Sequence, residues 1–133
     1  MEKVVVDTSI AVKWFIEEDG SDKAIKILQQ HQQGKIILIA PDILLLELIN
    51  ALYYKKLQQQ DINTALKLIY KLELQFISLS LLLITQASKI TSRFQIASYD
   101  SLFIVVAKEL DCFLITADRK HHRKEIYKKI KYL

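Results

Sequence analysis

The chain has 133 residues, is 51% apolar and contains only 2 glycines and 1 proline, which excludes a disordered or linker-rich protein and suits one tightly packed domain spanning residues 1–133. No stretch reaches the roughly 18 apolar residues of a membrane span, and Met1-Glu2-Lys3 leads into a run too short for a signal peptide, so a cytoplasmic protein without membrane partners is expected. Net charge is +4, but residues Arg119–Leu133 carry +6 and residues 1–118 carry −2.

That basic segment suits a polyanionic partner such as nucleic acid, or it is a solvated charged helix. Cys112 is the only cysteine. No internal disulfide can form, and an apolar setting predicts a buried thiol.

Taken in order, Val4-Val5-Val6 reads as a short strand buried on both faces, because it does not alternate apolar with polar. It runs into Asp7, where an open parallel sheet places its ligands. Ser9 is the expected N-cap of a short helix through Ile16, with Asp7 as the alternative cap. Ser21 to about Gln33 repeats apolar residues at helical spacing and stops at Gly34. Ile36–Ile39 is a second buried strand. Pro41 fits the first turn of a helix from Asp42 to about Leu57. Helical patterns follow near 61–74 and 81–93, with a possible strand at 76–79 between them. Ser98-Tyr99-Asp100-Ser101 opens a helix to Leu110, and Cys112–Ile115 is the next strand. A basic helix and a terminal strand at 130–133 complete the chain. Strands alternating with helices predict an α/β fold with a mainly parallel sheet, since parallel neighbours need crossovers.

Four acids stand out. Asp7 and Asp118 follow strands, Asp100 lies in the first turn of a helix, and Glu47 is the only charge within Ile43–Leu52. Each has an ordinary explanation. Asp100 can favour a helix N-terminus, Asp118 can shape a turn, Asp7 can cap a helix, and Glu47 can face a solvent stripe with Asn50 and Tyr54. Gathered at one end of a sheet they would repel, two of them by about 4 kcal/mol at 4 Å and an effective dielectric near 20. A hard divalent cation such as Mg²⁺ or Mn²⁺ would relieve that repulsion and bring phosphodiester hydrolysis within reach. Thr8, Ser9, Asn50 and Thr116 lie close by in sequence and could orient a carboxylate or water. His121 and His122 are adjacent and do not fall one helical turn apart, so exposed histidines are expected there.

Val5-Val6-Asp7-Thr8-Ser9 with Val12-Lys13-Trp14-Phe15, Pro41 through Glu47 to Asn50-Ala51-Leu52, Tyr99-Asp100-Ser101-Leu102-Phe103 with Val106-Ala107, and Leu114-Ile115-Thr116-Ala117-Asp118 resemble, in order and spacing, the four motifs of the PIN domain. The likeness is to the VapC-type toxin ribonucleases of toxin–antitoxin pairs. This resemblance implies a three-layer α/β/α sandwich around a central parallel sheet, with Asp7, Glu47, Asp100 and Asp118 as catalytic, metal-binding acids. It also implies Mg²⁺- or Mn²⁺-dependent cleavage of RNA, a homodimer, and a cognate antitoxin seated in a groove. Trp14, Phe15 and Ile16 would line that groove or belong to the core. After Asp118 the chain departs from the pattern: Arg119-Lys120-His121-His122 stands where many relatives carry an aromatic or aliphatic residue.

Three functions are compatible with these residues: a toxin endoribonuclease, a nuclease of RNA processing or decay, and a non-catalytic module that binds Mg²⁺ for signalling or binds nucleic acid. Glu47 lies within a helix rather than beside Asp7 at a strand end, which weighs against a receiver-like phosphoacceptor site.

Overall fold

A computed structural model describes residues 1–133. Its centre is a five-stranded sheet in the order β3-β2-β1-β4-β5, made of β1 (Glu2–Val6), β2 (Ile36–Pro41), β3 (Gln75–Ile77), β4 (Phe113–Thr116) and β5 (Ile130–Tyr132). Every neighbouring pair is parallel. The chain moves outward from β1 through β2 to β3, then returns to place β4 on the other side of β1. The strand order therefore reverses between β1 and β4, and the crevice at their carboxyl ends is where an open parallel sheet binds ligands.

Six helices flank the sheet: α1 (Thr8–Ala11), α2 (Ser21–Gln32), α3 (Ile43–Tyr54), α4 (Gln59–Lys71), α5 (Leu81–Phe94) and α6 (Ser98–Glu109). The alternation of side chains along β1 assigns the layers. Val4 and Val6 pack with Leu38 and with Ala24 of α2 on one face. Val5 joins Ile39, Leu114 and the buried residues of α3, α4 and α6 on the other. Helix α6 lies between the sheet and α5, and every residue from Ser101 to Ala107 is buried. It therefore lacks the polar stripe of a surface helix, as a fully enclosed helix must. Ser101 is accommodated there by hydrogen bonds with Thr91 and the Ala97 carbonyl. The result is the expected three-layer sandwich.

Three local expectations change. The cap of α1 is Asp7, whose side chain accepts from the Ile10 N–H, and the helix gives way to a 3-10 turn at Val12–Trp14 before reaching Ile16. Trp14, Phe15 and Ile16 are partly buried against the main core, and the Trp14 indole N–H donates to the Ala24 carbonyl. The basic helix does not form. Residues 117–129 run as turns and bends, because their side chains are drawn to separate parts of the body. Arg123 donates to the Phe94 carbonyl, and the Tyr127 hydroxyl bonds to the Cys112 and Ala107 carbonyls. One straight helix would not bring these groups to such different partners. Cys112 is buried, as expected.

Candidate active site

Asp7 leaves the end of β1 at the reversal point, only 3% exposed, and both oxygens of its carboxylate accept hydrogen bonds. Oδ1 accepts from the Ser9 hydroxyl and the Ile10 N–H, while Oδ2 accepts from the Thr116 hydroxyl and from His122 Nδ1 at 2.8 Å. Buried carboxylates need such partners, since leaving one bare costs several kcal/mol. Ser9 and Thr116 are themselves fixed by the backbone that follows β4. The Ala117 N–H donates to Ser9 Oγ and the Asp118 N–H to Thr116 Oγ1, both at 2.9 Å. The ends of β1 and β4 are thus tied together through Asp7.

His122 is the residue that sequence reasoning missed. It is 1% exposed, bonded through Nδ1 to Asp7 and through Nε2 to the Asp100 carbonyl at 2.9 Å. Both partners are acceptor oxygens, which suits an imidazolium with two N–H donors. Burial pulls its pKa down, but the hydrogen bond and charge of Asp7 outweigh that and hold it above the ordinary histidine value. The expectation of exposed histidines assumed a regular helix. In the irregular segment that forms, His122 turns inward while the half-exposed His121 bonds Asp118 Oδ2 through Nδ1 at 2.9 Å.

The other acids close the site. Thr8, first residue of α1, donates to Glu47 Oε1 at 2.9 Å, so α3 presents Glu47 to the strand ends instead of to a solvent stripe. Burial raises the Glu47 pKa, with the charges of Asp100 and Asp7 adding to it against the Thr8 hydrogen bond. Asp100, in the first turn of α6, is also raised by burial and by Asp118 and Asp7, against the opposing pull of His122 and His121. Asp118 differs. Burial raises it too, but the Lys120 and His121 backbone N–H groups donate to its Oδ1, and the bonds from His121 bring it below its ordinary value.

Asp7, Glu47, Asp100 and Asp118 line one pocket of about 170 Å³ together with Thr8, Ser9, Phe103 and His122. Thr116 stands behind it, buried against Asp7. Asn50 is exposed and is not part of its lining. Of the eight residues singled out in the sequence, Asn50 is the one the fold leaves apart. One ligand atom each from Asp100, Asp118 and His121 lies within 4.8 Å of the others, a spacing that one cation can bridge.

The PIN domain family model matches residues 4–127. The chain belongs to the PIN domain family. Solved structures show the same fold at low identity. The Sarcin-Ricin loop cleaving toxin VapC20 of Mycobacterium tuberculosis is 13% identical over 89% of this chain and 92% of its own, with a TM-score of 0.73. VapBC2 of Rickettsia felis, solved bound to a DNA fragment from their promoter, is 17% identical over 98% of both chains, with a TM-score of 0.72. A toxin–antitoxin complex from Klebsiella pneumoniae is 12% identical over 96% of this PIN domain and 95% of its own chain, with a TM-score of 0.70. No curated protein matches the sequence. No helix of this PIN-domain protein is long and apolar enough to cross a membrane.

Proposed function

We propose that this PIN-domain protein is a metal-dependent endoribonuclease that hydrolyses RNA phosphodiester bonds as the toxin of a toxin–antitoxin pair. The observation that carries this reading is the convergence of Asp7, Glu47, Asp100 and Asp118, from four separate parts of the chain, on one pocket at the strand ends of a PIN fold.

The donor set fits a hard divalent cation. Glu47 and Asp100 both have pKa values raised by burial and by neighbouring acids, so their ionised forms are penalised in the pocket and a bound cation would relieve that penalty. Oxygen donors of this kind prefer Mg²⁺ or Mn²⁺. Asp7, Glu47, Asp100 and Asp118 are the residues we assign to hold the ion. Such an ion, when bound, lowers the pKa of a water and offsets the charge of a phosphate.

The chain's own part is to fix those acids. Ser9, Thr116 and His122 hold Asp7 in one orientation, Thr8 aims Glu47, and the turn after Asp118 pins that carboxylate through two backbone N–H groups. Because that positioning is made by protein hydrogen bonds, it exists before substrate arrives. A homodimer and an antitoxin are the protein partners this reading brings with it. The Klebsiella pneumoniae neighbour is a toxin–antitoxin complex.

The test is cleavage of a mixed RNA pool by purified protein with Mn²⁺, with Mg²⁺ and with chelator, beside Asp7→Asn purified identically. Cutting that needs the ion and disappears in the variant is the expected result. Equal cutting by both proteins would remove the assignment. Toxicity on expression, relieved by the product of a neighbouring gene, separates a toxin from an enzyme of RNA processing.

A further inference from the structure

The excess positive charge near the end of the chain is not used by the acidic pocket. The structure gathers it around the β4–β5 edge, with Lys131 on the same face as Phe113 and Tyr132 on the opposite one. Helix α2 covers the Phe113 face over Val4, Val6 and Leu38, but Phe113 at the start of β4 is 42% exposed. Arg119, Lys124, Lys128 and Lys131 line a shallow hollow of about 610 Å³ over this uncovered part, with Glu2 as its one acid. The Tyr132 ring supports two of these cations, with the Arg119 guanidinium 4.3 Å and the Lys124 ammonium 5.6 Å from its centre. Lys23 and Lys26 of α2 line an adjoining hollow that shares Lys131 and Tyr132. None of these six cations takes part in an ion pair, whereas Arg123 and Lys129, from the same segment, are paired with Glu125 and Asp111.

One end of the basic edge adjoins residues of the pocket. Arg119 directly follows Asp118, and Tyr132 pairs with Thr116, which hydrogen-bonds Asp7. From Thr116 back to Phe113 the strand leads away from the pocket by about 10 Å at 3.3 Å per residue, the reach of a few nucleotides. Unpaired cations beside an exposed aromatic ring on an open sheet face fit a single-stranded nucleic acid: the cations meet phosphates and the ring stacks a base. An acidic protein surface would meet the same cations, and the choice between the two partners rests on whether Phe113 contributes by stacking a base.

We infer that this basic sheet edge is a second RNA-binding surface, which holds the strand flanking the bond presented to the acidic pocket. The inference rests on the ribonuclease reading for the placement of that bond. Binding is therefore measured apart from cleavage, with a fluorescent single-stranded RNA 12-mer in chelator across a salt series. Lys128→Glu/Lys131→Glu is expected to weaken binding at least tenfold and to flatten the slope of log affinity against log salt by about 1.4, the share of two phosphate contacts on a single strand.

Phe113→Ala is expected to weaken binding roughly five- to a hundredfold with its salt slope unchanged, because it removes stacking and no charge. All three side chains are exposed, and thermal melts of both variants confirm their folding. Lys23→Glu/Lys26→Glu, on a different element, supplies a second charge reversal. Wild-type affinity and slope in all these variants would overturn the inference, whatever the cleavage assay shows. Equal binding of poly-glutamate and RNA, with no effect of Phe113→Ala, would also overturn it in favour of an acidic protein partner. Loss of binding in the variants with no cleavage by wild type would keep the surface and reject the nuclease.

Discussion

His122 carries more of the site than its place in the chain suggests. Its ring joins Asp7, just past β1, to the Asp100 carbonyl of α6 at hydrogen-bond distances of 2.8 and 2.9 Å. His122→Phe keeps a planar ring but leaves both oxygens without that donor, at a cost of about 1–3 kcal/mol for a buried unpaired group. We expect a lower unfolding temperature, and with it a loss of roughly 10- to 100-fold in activity or metal affinity, the usual effect of removing a partner that orients a ligand. Metal titration at a temperature where the variant is fully folded separates the two; unchanged affinity there would make His122 a structural residue only. Three of the four acids were legible because each breaks a local pattern: Asp7 and Asp118 follow apolar strands, and Glu47 interrupts an apolar helix; Asp100, in a helix first turn, stood out only in company with them. His122 breaks none. Its burial depends on a turn set by Asp118 and on distant partners, and no periodicity in residues 117–129 announces it.

Helices and strands were legible at nearly every position where apolar spacing is regular, and their ends less so. The scarcity of glycine predicts tight connections, but it also forces other residues into the left-handed conformation that glycine usually takes. Lys56, Glu73, Gln95 and Asp111 all have positive φ, between 49° and 67°, and each lies just beyond a helix. A side chain in that region costs about 1–2 kcal/mol. Gln95 is the clearest case. It is exposed, has φ 59° and ψ 42°, and ends α5 with its backbone N–H bonded to the Thr91 carbonyl. Gln95→Gly is therefore expected to stabilise the protein by about 1 kcal/mol, a rise of roughly 3–5 °C in a thermal melt. A fall in the melting temperature would show that the side chain matters to the fold in another way. The basic segment failed as a helix for a related reason: local charge pattern favoured one, but bonds from Arg123, Tyr127 and Tyr132 to distant carbonyls won.

Across the whole molecule, the pocket is an electrostatic burden that the sandwich carries. Glu47 and Asp100 have pKa values raised by burial and by their neighbours. A carboxylate raised on folding weakens the fold above its folded pKa and ceases to do so below its unfolded one. Without metal, Asp100→Asn should melt at a higher temperature than wild type near neutral pH, and the gap should narrow as pH falls through the carboxylate range. Adding Mn²⁺ should reverse the order, since a ligand at a hundredfold excess over its Kd stabilises by about 2.7 kcal/mol and the variant loses much of that gain. Identical responses of both proteins to Mn²⁺ would remove Asp100 from the ion's ligands. The sheet order also has a consequence in time. Asp7 is made early, but its bonds to Thr116 and His122 span 109 and 115 positions. A chain still emerging from the ribosome has no formed pocket until the residues beyond Asp118 have been synthesised and folded back. Biosynthesis itself withholds the assembled site until the chain is nearly complete.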